Sequence, residues 1–388
     1  MDYLFDDAAI LRPTTVEVDL GALQRNVRSI RSLTGSALMM GIVKANAYGH
    51  GLVEVARALV SYGVEQLGVA FLEEGIALRK EGITVPILVL GGIIGNQIEY
   101  FLRYDLMITA SSPFKLRQIE EVAALTGQRA RVHLKIDTGM ARIGIQYANA
   151  DKLFEAALEA QHCELCGVFS HFAASDSDDP AFTHLQLARF AQAMEFFPRH
   201  GLPMPLRHMA NAGAVLQHPD ATFDMVRPGI ITYGVYPSAT VARTIPLEPV
   251  MSFKTRVVYF KVVKEGVPVG YDGTWVAPRD TRVVTLPVGY GDGYRRGLSN
   301  RAQVLIHGKR YPIVGNISMD QLTVDIGQNS AYNGDEATLI GAQDGELITC
   351  EELAAMLDTN PYEVLTGINT RVPRVYKNAP VAVKHADA

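Results

Sequence analysis

The chain has few cysteines, and their positions exclude a disulfide framework as the source of its stability. Only Cys163, Cys166 and Cys350 occur among 388 residues, whereas domains that depend on disulfides are usually rich in paired cysteines. Cys163 and Cys166 follow His162 as a CxxC pair, but no second pair accompanies them and an apolar run comes next. This context favours core packing over a metal or redox centre. No metal site is therefore predicted.

The sequence also lacks a long apolar run and an excess of positive charge. No apolar stretch reaches the roughly 18 residues needed to cross a bilayer, and the first ten residues, MDYLFDDAAI, are acidic where a secretory signal is basic. The formal net charge is -5, which gives no general attraction to nucleic acid or to an anionic membrane. These absences predict a cytoplasmic protein with neither kind of partner.

What the sequence does contain is a regular alternation of short apolar runs and amphipathic segments. The hydrophobic fraction of 48% is typical of a globular protein, and the length predicts two domains. One amphipathic segment places Leu20, Leu23 and Val27 on a single helical face after a candidate cap at Asp19. The candidate strands are residues 38–43, 66–71, 87–90, 106–109, 132–136, 165–170, 206–209 and 230–233. Eight such repeats predict an α/β fold with an N-terminal (β/α)8 TIM-type barrel.

The pattern changes after about residue 246. Alternating β-branched and aromatic runs cover residues 257–263, 282–288, 302–306 and 321–326, with a short amphipathic helix at 351–357. This composition predicts a C-terminal, mostly β-strand domain. We therefore expect a barrel at residues 12–246 and a β domain at residues 247–388, joined near 247–249, with residues 1–11 packing against the β domain.

Lys44 lies at the end of the first apolar run, within VKANAYGHG at residues 43–51. Burial lowers the pKa of a lysine at such a position, and the neutral amine can form a Schiff base with an aldehyde, for which pyridoxal phosphate is our prediction. The alternative is an ordinary exposed lysine. The polar, glycine-bearing loop that contains Asn46, Tyr48 and His50 favours the cofactor, because such loops contact phosphate and aromatic rings.

Other polar residues lie beside the ends of the remaining barrel strands. Asp137 and Arg142 follow the fifth strand, His171 the sixth and Asn211 the seventh, while Arg227 precedes the predicted eighth. Because the carboxyl ends of barrel strands meet at one mouth, these side chains are expected to converge with Lys44. The loops around strands seven and eight commonly hold a phosphate, which predicts backbone amide donors at the following residues: Asn211, Gly213, Gly229 and Ile230.

The glycine-rich stretch GGIIG at residues 91–95 has a different interpretation. It lacks the lysine and the serine or threonine of a nucleotide-binding P-loop. A turn at the end of a strand is therefore favoured.

Seven segments resemble, in this order, the motifs of one enzyme family. They are VKANAYGHG (43–51), KIDTGMARIG (135–144), SHFAASD (170–176), MVRPGIITYG (225–234), PVGYGDGYRR (287–296), VGNISMDQLTVD (314–325) and RVPRVY (371–376). Over nearly its whole length the chain resembles alanine racemase, a fold-type III pyridoxal phosphate family. The resemblance implies an isomerase that interconverts L- and D-alanine for the bacterial cell wall. It also implies a two-base mechanism in a homodimer with shared active sites.

The resemblance assigns a role to each catalytic position. It implies that Lys44 holds pyridoxal phosphate as an imine and acts as the base for the D-enantiomer, while Tyr290 of the partner subunit acts on the L-enantiomer. His171 and Arg227 would continue a hydrogen-bonded chain from that tyrosine. Arg227 would donate to the pyridine nitrogen, and because its pKa lies above about 12 it would leave that nitrogen unprotonated, which should suppress transamination.

The resemblance also implies residues that hold the substrate and the phosphate. Arg142 would contact the cofactor's phenolic oxygen and the substrate carboxylate. Lys135 matches a lysine that is often carbamylated and pairs with that arginine; two cations so close require an anion, and Asp137 is the alternative supplier. Met319 and Asp320 of the partner subunit would contact the substrate carboxylate, although a simple turn between strands explains them equally well from sequence alone. The cofactor-binding set is completed by Tyr48, Asn211, Ala212, Gly229 and Ile230.

Two positions depart from the family pattern. Ala212 stands where many members have serine, so one hydroxyl donor to the phosphate is absent. Thr370 stands where a tyrosine often precedes the final RVPR segment. The backbone donors predicted above do not depend on these side chains, so the cofactor prediction is unchanged.

Two alternatives share the predicted scaffold. A decarboxylase or a racemase of other amino acids would keep the barrel and the β domain, but loss of the carboxylate conflicts with an arginine placed to hold it. A non-catalytic pyridoxal phosphate carrier would use the barrel alone, whereas this chain carries Tyr290 in a second domain. Release of carbon dioxide and the effect of replacing Tyr290 distinguish these functions.

Overall fold

The computed structural model describes residues 11–379, and the first two thirds of this stretch alternate between strands and helices. The strands are β1 (Thr15–Asp19), β2 (Leu38–Ile42), β3 (Gln66–Val69), β4 (Ile87–Val89), β5 (Met107–Ala110), β6 (Ala130–Asp137), β7 (Ile145–Gln146), β8 (Cys163–Phe169), β9 (Arg207–His208) and β10 (Met225–Val226). The helices are α1 (Leu20–Thr34), α2 (Lys44–Tyr48), α3 (Leu52–Ser61), α4 (Leu72–Lys80), α5 (Ile98–Arg103), α6 (Pro113–Thr126), α7 (Ala150–Glu159), α8 (Ala181–Met194), α9 (Phe196–Arg199) and α10 (Ala212–Gln217).

Eight parallel strands close into a barrel within one compact unit, which runs from Leu23 to Glu248. Their order is β5, β4, β3, β2, β10, β9, β8 and β6, and β6 pairs with β5 to complete the ring. The short strand β7 adds outside the ring beside β6. The predicted TIM-type barrel is therefore confirmed. The barrel strands are almost completely buried, as expected for parallel strands covered by helices on the outside.

The eighth predicted strand is wrong. Residues 230–233 belong to a 3-10 helix, Gly229–Tyr233, and the strand that closes the ring is β10, immediately before it. Pro228 has no backbone N–H for a strand ladder, and Gly229 turns the chain with a φ of 54°. The apolar run that suggested a strand is fully buried in the helix instead. As a result, Arg227 follows the eighth strand and lies at its carboxyl end.

Helix α1 begins as its sequence predicts. The Asp19 carboxylate accepts a hydrogen bond from the Ala22 N–H at 2.9 Å, which satisfies one of the unpaired amides at a helix start. Leu23, Val27 and Ile30 are at most 1% exposed and form the apolar face. Capping and amphipathic spacing therefore explain this helix locally.

The second compact unit combines, among the described residues, 11–22 with 249–379. Its further strands are β11 (Met251–Arg256), β12 (Tyr259–Val263), β13 (Pro268–Val269), β14 (Trp275–Val276), β15 (Thr281–Leu286), β16 (Gln303–Ile306), β17 (Lys309–Pro312), β18 (Leu322–Gly327), β19 (Glu336–Gln343), β20 (Glu346–Ile348) and β21 (Arg374–Lys377). Its helices are α11 (Cys350–Leu357) and α12 (Pro361–Thr366). The largest sheet has the order β17, β16, β19, β11, β1, β21, and β12, β15 and β18 form a smaller one. The mostly β-strand character is as predicted.

The position of strand β1 differs from the predicted domain boundaries. The prediction placed residues 12–246 in the barrel, whereas β1 pairs with β11 and β21 of the β unit. A boundary drawn along the chain cannot anticipate a strand that joins partners from the other end of the sequence. The predicted packing of residues 1–10 lies outside the described residues. Within residues 11–379, no helix has the length and apolar character required to cross a bilayer.

Candidate active site

Lys44 follows β2 and begins a turn with an unusual backbone. Ala45, Asn46 and Ala47 have φ values of 53°, 55° and 52°, which is left-handed helical geometry. This conformation costs about 1–2 kcal/mol for each ordinary residue, so neighbouring contacts must stabilise it. The Glu74 carboxylate accepts from the Ala45 N–H at 2.6 Å, and the Asn46 side chain accepts from the Leu52 N–H at 2.8 Å. The turn holds Lys44 at the carboxyl end of its strand.

The amine of Lys44 is prepared to be neutral. Burial lowers its pKa, the positive charges of Arg142 and Arg227 lower it further, and the carboxylate of Glu74 opposes them. A neutral amine is the form that attacks an aldehyde or accepts a proton. The chemistry predicted for Lys44 therefore fits its surroundings.

Arg227 connects several strand ends through a buried network of hydrogen bonds. It is 5% exposed. Its Nη2 donates to the Ser170 carbonyl at 2.8 Å and to His171 Nδ1 at 3.2 Å. Its Nη1 donates to His208 Nδ1 at 2.7 Å. Burial lowers the pKa of Arg227 to about 9, which still leaves the guanidinium charged near neutral pH.

Lys135 lies on β6 close to the same cluster. It is 5% exposed, and its Nζ lies 4.4 Å from the centre of the Phe169 ring. Burial, followed by the charges of Arg227 and Arg142, holds its pKa well below the usual range, while Asp137 opposes the shift. Asp137 accepts from the backbone N–H groups of Gly139 and Ala141. Since no carboxylate of residues 11–379 pairs with Lys135 or Arg142, an anion is still expected there.

A second group of predicted residues forms a small cradle beside β10. Gly229 and Ile230 begin the 3-10 helix, where the first backbone amides have no carbonyl of their own helix to bond. A Cβ atom at Gly229 would lie 3.2 Å from the Tyr48 hydroxyl oxygen, so Tyr48 and this helix start lie together. Hydroxyl and amide donors at a helix start suit a phosphate.

Asn211 and Ala212 have structural roles in the same region. The Asn211 carbonyl oxygen caps α10 by accepting from the Ala214 N–H at 3.2 Å, and it also accepts from the Ser175 hydroxyl. Ala212 is 4% exposed, at the first position of α10. Neither contact tests the predicted cofactor binding, and no hydroxyl donor stands at position 212.

Electrostatic coupling shows which predicted residues the barrel brings together. The pKa of His171 is held well below its usual range by burial and then by Arg227, Lys135, Arg142 and Lys44. These basic groups therefore share one mouth. Such a cluster, opposed by few carboxylates, is suited to a ligand that carries negative charge. A phosphate-bearing aldehyde and an amino acid carboxylate both meet that requirement, so the residues fit the predicted cofactor.

The remaining predicted site residues cluster separately in the β unit. The Tyr290 N–H donates to the Ser318 carbonyl at 3.0 Å, which joins the Tyr290 turn to the loop that carries Met319 and Asp320. Arg371 fastens this loop, since its Nη2 donates to the Asp320 carboxylate at 2.8 Å. Its Nε donates at 2.7 Å to Asp292, which is completely buried. Arg371 begins the RVPRVY segment, whose motif did not predict these two contacts.

Tyr271 is a candidate that sequence analysis missed. Its side chain is 71% exposed, compared with 42% for Tyr290. It projects from a tight loop in which Gly270 and Asp272 have φ values of 74° and 62°, and it lines a recess of about 380 Å³ with Ser318. The glycine-flanked segment VGYDG resembles a presenting loop, which is the signal that could have identified it.

His133 and His208 were also missed. Both are completely buried inside barrel strands, where a polar residue within an apolar run is uncommon unless it has partners. His133 and Lys135 are two residues apart on β6 and therefore point to the same side of that strand. This spacing could have placed His133 with the site.

Comparisons with known proteins agree with these two units. The family model described as alanine racemase, N-terminal domain, matches residues 18–237, and the model described as alanine racemase, C-terminal domain, matches residues 250–376. The chain is 42% identical to alanine racemase 2 of Caldanaerobacter subterraneus subsp. tengcongensis, with 96% of each chain covered. It is 43% identical to the alanine racemase of Symbiobacterium thermophilum, with 94% of this chain and 97% of the other covered. A solved alanine racemase structure from Clostridium difficile has a TM-score of 0.90 and 36% identity, and the match covers 95% of this chain and 97% of that one.

Proposed function

The chain belongs to the alanine racemase family, as its motifs predicted, and on that premise we propose how its residues interconvert L- and D-alanine with pyridoxal phosphate. The observation that carries the proposal is the convergence of Lys44, with its lowered pKa, on the cationic mouth that contains Arg142, His171 and Arg227. The D-alanine so formed would supply the bacterial cell wall.

The barrel residues divide into those that hold the cofactor and those that hold the substrate. Lys44 provides the covalent attachment, and Tyr48 with the amides of Gly229 and Ile230 binds the phosphate. When bound, pyridoxal phosphate delocalises charge from the α carbon and makes its proton removable. Arg142, with its planar fork of donors, binds the substrate carboxylate and keeps it in place.

Proton transfer requires one base on each face of the substrate. Lys44 serves one face, because its surroundings favour the neutral amine. A tyrosine of the partner subunit's β unit serves the other, which makes the active protein a homodimer. The motif assigns this role to Tyr290, together with carboxylate contacts at Met319 and Asp320. Exposure and loop geometry favour Tyr271 for the base.

His171 and Arg227 assist that tyrosine. Because the Arg227 guanidinium can only donate, His171 Nδ1 must accept from it and the His171 proton must lie on Nε2. His171 Nε2 is then a donor for a tyrosine oxygen.

We further propose that Lys135 carries a carbamate. A neutral amine in a buried site can react with carbon dioxide: its nitrogen forms a bond to carbon, one C=O π bond opens onto oxygen, and the proton lost from nitrogen passes to solvent. The product would place the expected anion between Lys135 and Arg142. The support is the lowered pKa of Lys135 together with the commitment of Asp137 to its own loop. A carbonyl signal from labelled bicarbonate, absent in a Lys135→Ala variant, is expected in carbon-13 spectra, and its absence from the unmodified protein would reject this part of the proposal.

The proposed function is tested by circular dichroism of the purified protein with L-alanine and then with D-alanine. The signal should decay towards zero from both directions. Borohydride should remove the visible absorbance and leave a label on Lys44 in peptide maps. Lys44→Ala should abolish both results, whereas Lys80→Ala, at an exposed lysine on α4, should change neither. Carbon dioxide release without racemisation, or a label on another residue, would reject the proposal.

A further inference from the structure

Two buried histidines, His208 and His133, continue the hydrogen-bond network of Arg227. Arg227 Nη1 lies 2.7 Å from His208 Nδ1, and His208 Nε2 lies 2.9 Å from His133 Nδ1. His208 and His133 are completely buried. His133 Nε2, at the far end, has no hydrogen-bond partner among residues 11–379.

The direction of every hydrogen bond in this chain follows from the guanidinium. An arginine donates and cannot accept, so His208 Nδ1 must be the bare nitrogen. The proton of His208 is therefore on Nε2, which donates to His133 Nδ1. His133 in turn carries its proton on Nε2. Since His171 Nδ1 also accepts from Arg227, one cation sets the tautomer of three imidazole rings.

All three rings must be neutral for this arrangement to exist. A protonated His208 would present an N–H to the N–H of Arg227, and the contact at 2.7 Å would become repulsive. Burial, followed by the charge of Arg227, lowers the pKa of each ring, and that of His133 falls to about 3. The charges and the geometry are therefore consistent.

The surrounding backbone and rings are shaped to hold the two histidines. A Cβ atom at Gly167 would lie 2.7 Å from His133 Nδ1, so this position on β8 has room only for glycine. The Phe169 ring stacks on His208 with a centroid distance of 4.7 Å and an interplanar angle of 5°. Phe169 thus fixes the plane of one ring, and Gly167 admits the other.

These hydrogen bonds leave two N–H bonds of Arg227 uncommitted among the described residues, the second N–H of Nη1 and the N–H of Nε. Its Nη1 and Nη2 bind His208, Ser170, His171 and the Met209 carbonyl. Among the described residues no acceptor is bonded to Nε. Since the guanidinium is planar and rigid, fixing both Nη atoms fixes the direction of the Nε–H bond.

We propose that His133 and His208 form a positioning relay that aims the Nε–H bond of Arg227 at the nitrogen of the cofactor ring. The inference rests on the proposed function, because it assigns that N–H to pyridoxal phosphate. Loss of the relay would release Nη1 and allow the guanidinium to rotate. Solvent could then protonate the ring nitrogen, which strengthens electron withdrawal and favours transamination, in which alanine and the aldehyde exchange nitrogen for oxygen to give pyruvate and the cofactor amine.

The first test needs no substrate. Nitrogen-15 spectra of histidine-labelled protein at neutral pH should show His133 and His208 as neutral rings protonated on Nε2, with signals assigned through single-histidine variants. A proton on His208 Nδ1, or a doubly protonated ring, would overturn the relay. This measurement stands even if racemisation fails, so it separates the relay from the proposed function.

The second test compares two replacements of His133. In His133→Asn the amide oxygen keeps an acceptor near the position of Nδ1, whereas His133→Leu removes it. We expect His133→Leu to lower kcat about tenfold and to raise pyruvate formed per racemisation event, while His133→Asn retains most activity and the low pyruvate ratio. His200→Leu, at an exposed histidine, is the matched control. A lower Tm with an unchanged pyruvate ratio would show a merely structural role. If His133→Leu does not fold, the spectra and His133→Asn still decide the question.

Discussion

Arg227 and Arg142 create a positive field at the barrel mouth, and this field has two effects on single residues. Together with burial, which is the larger cause, it lowers the pKa of Lys44 and His171, so both favour the uncharged form that a proton acceptor needs. It also stabilises negative charge on any tyrosine or carboxylate that enters the mouth. The same positive charges therefore favour the neutral form of a basic group and the charged form of an acidic group.

Replacing Tyr271 and Tyr290 separately should identify the second base. We expect Tyr271→Phe to reduce racemisation about 100-fold or more, the usual effect of losing a general base, and Tyr290→Phe to reduce it less. The reason is the greater exposure of Tyr271 on its loop. The measurement is the initial rate in both directions by circular dichroism. A large loss confined to Tyr290→Phe would instead support the motif-based assignment.

A mixing experiment provides the control for the same prediction. Subunits with Lys44→Ala and subunits with the inactivating tyrosine replacement are each inactive alone. If the tyrosine acts across the dimer, a mixed dimer contains one intact site and regains activity. No recovery after unfolding and refolding together would contradict the shared site.

The residues that sequence could identify differ physically from those it missed. Lys44, His171 and Arg227 stand beside strand ends, where barrel geometry alone brings polar residues together. His133 lies within β6 and His208 ends β9, and although the spacing of His133 and Lys135 places both on one side of β6, the linear pattern does not show that the two histidines share a hydrogen bond. Their importance depends on distances between β6, β9 and the segment after β10, which only the folded barrel defines.

Among the elements, the left-handed turn after β2 stores conformational strain beside Lys44. Ala45→Gly should raise the free energy of unfolding by about 1 kcal/mol, because glycine adopts positive φ without steric penalty. Ala45 is exposed, so little packing is lost. The midpoint of urea unfolding, with an unchanged m value, is the measurement.

An alanine in a regular α-helix provides the control, because glycine should have the opposite effect on stability there. Ala124 is an exposed residue within α6, and Ala124→Gly should lower the free energy of unfolding by about 1 kcal/mol because glycine is a poor residue for helix interiors. If both replacements shift the midpoint in the same direction, the strain assigned to the turn is wrong.

Element prediction succeeded where periodicity and burial agree and failed where an irregular backbone intervened. Seven barrel strands and helix α11 lie where apolar spacing places them. The run at residues 230–233 has the same composition as a strand, yet Pro228 and the positive φ of Gly229 make it a 3-10 helix. The left-handed turn after β2 could not be predicted from the sequence either, because its alanines are not residues that favour turns.

For the whole molecule, the buried histidines predict a loss of stability in acid. His133, His171 and His208 have lowered pKa values when folded, so the unfolded chain binds more protons below its ordinary histidine pKa of 6.5. Stability is then complete above that pH and falls on acidification, by about 1 kcal/mol per histidine between pH 6.5 and about 5.5.

This pH dependence can be measured as the free energy of unfolding across that range. His133→Asn removes one titrating ring and should reduce the slope, whereas His200→Leu should leave the slope nearly unchanged. An unchanged slope in His133→Asn would contradict the assignment. Carboxylates contribute mainly at lower pH.

The pairing of strand β1 has a consequence for the order in which parts of the protein can fold during synthesis. It leaves the ribosome before the barrel strands, but its partners β11 and β21 are synthesised after them, and β21 ends at Lys377. The complete barrel sequence is therefore available for folding while Thr15–Asp19 still has no neighbour to pair with. The largest sheet of the β unit can be finished only after the barrel strands and β21 have been translated.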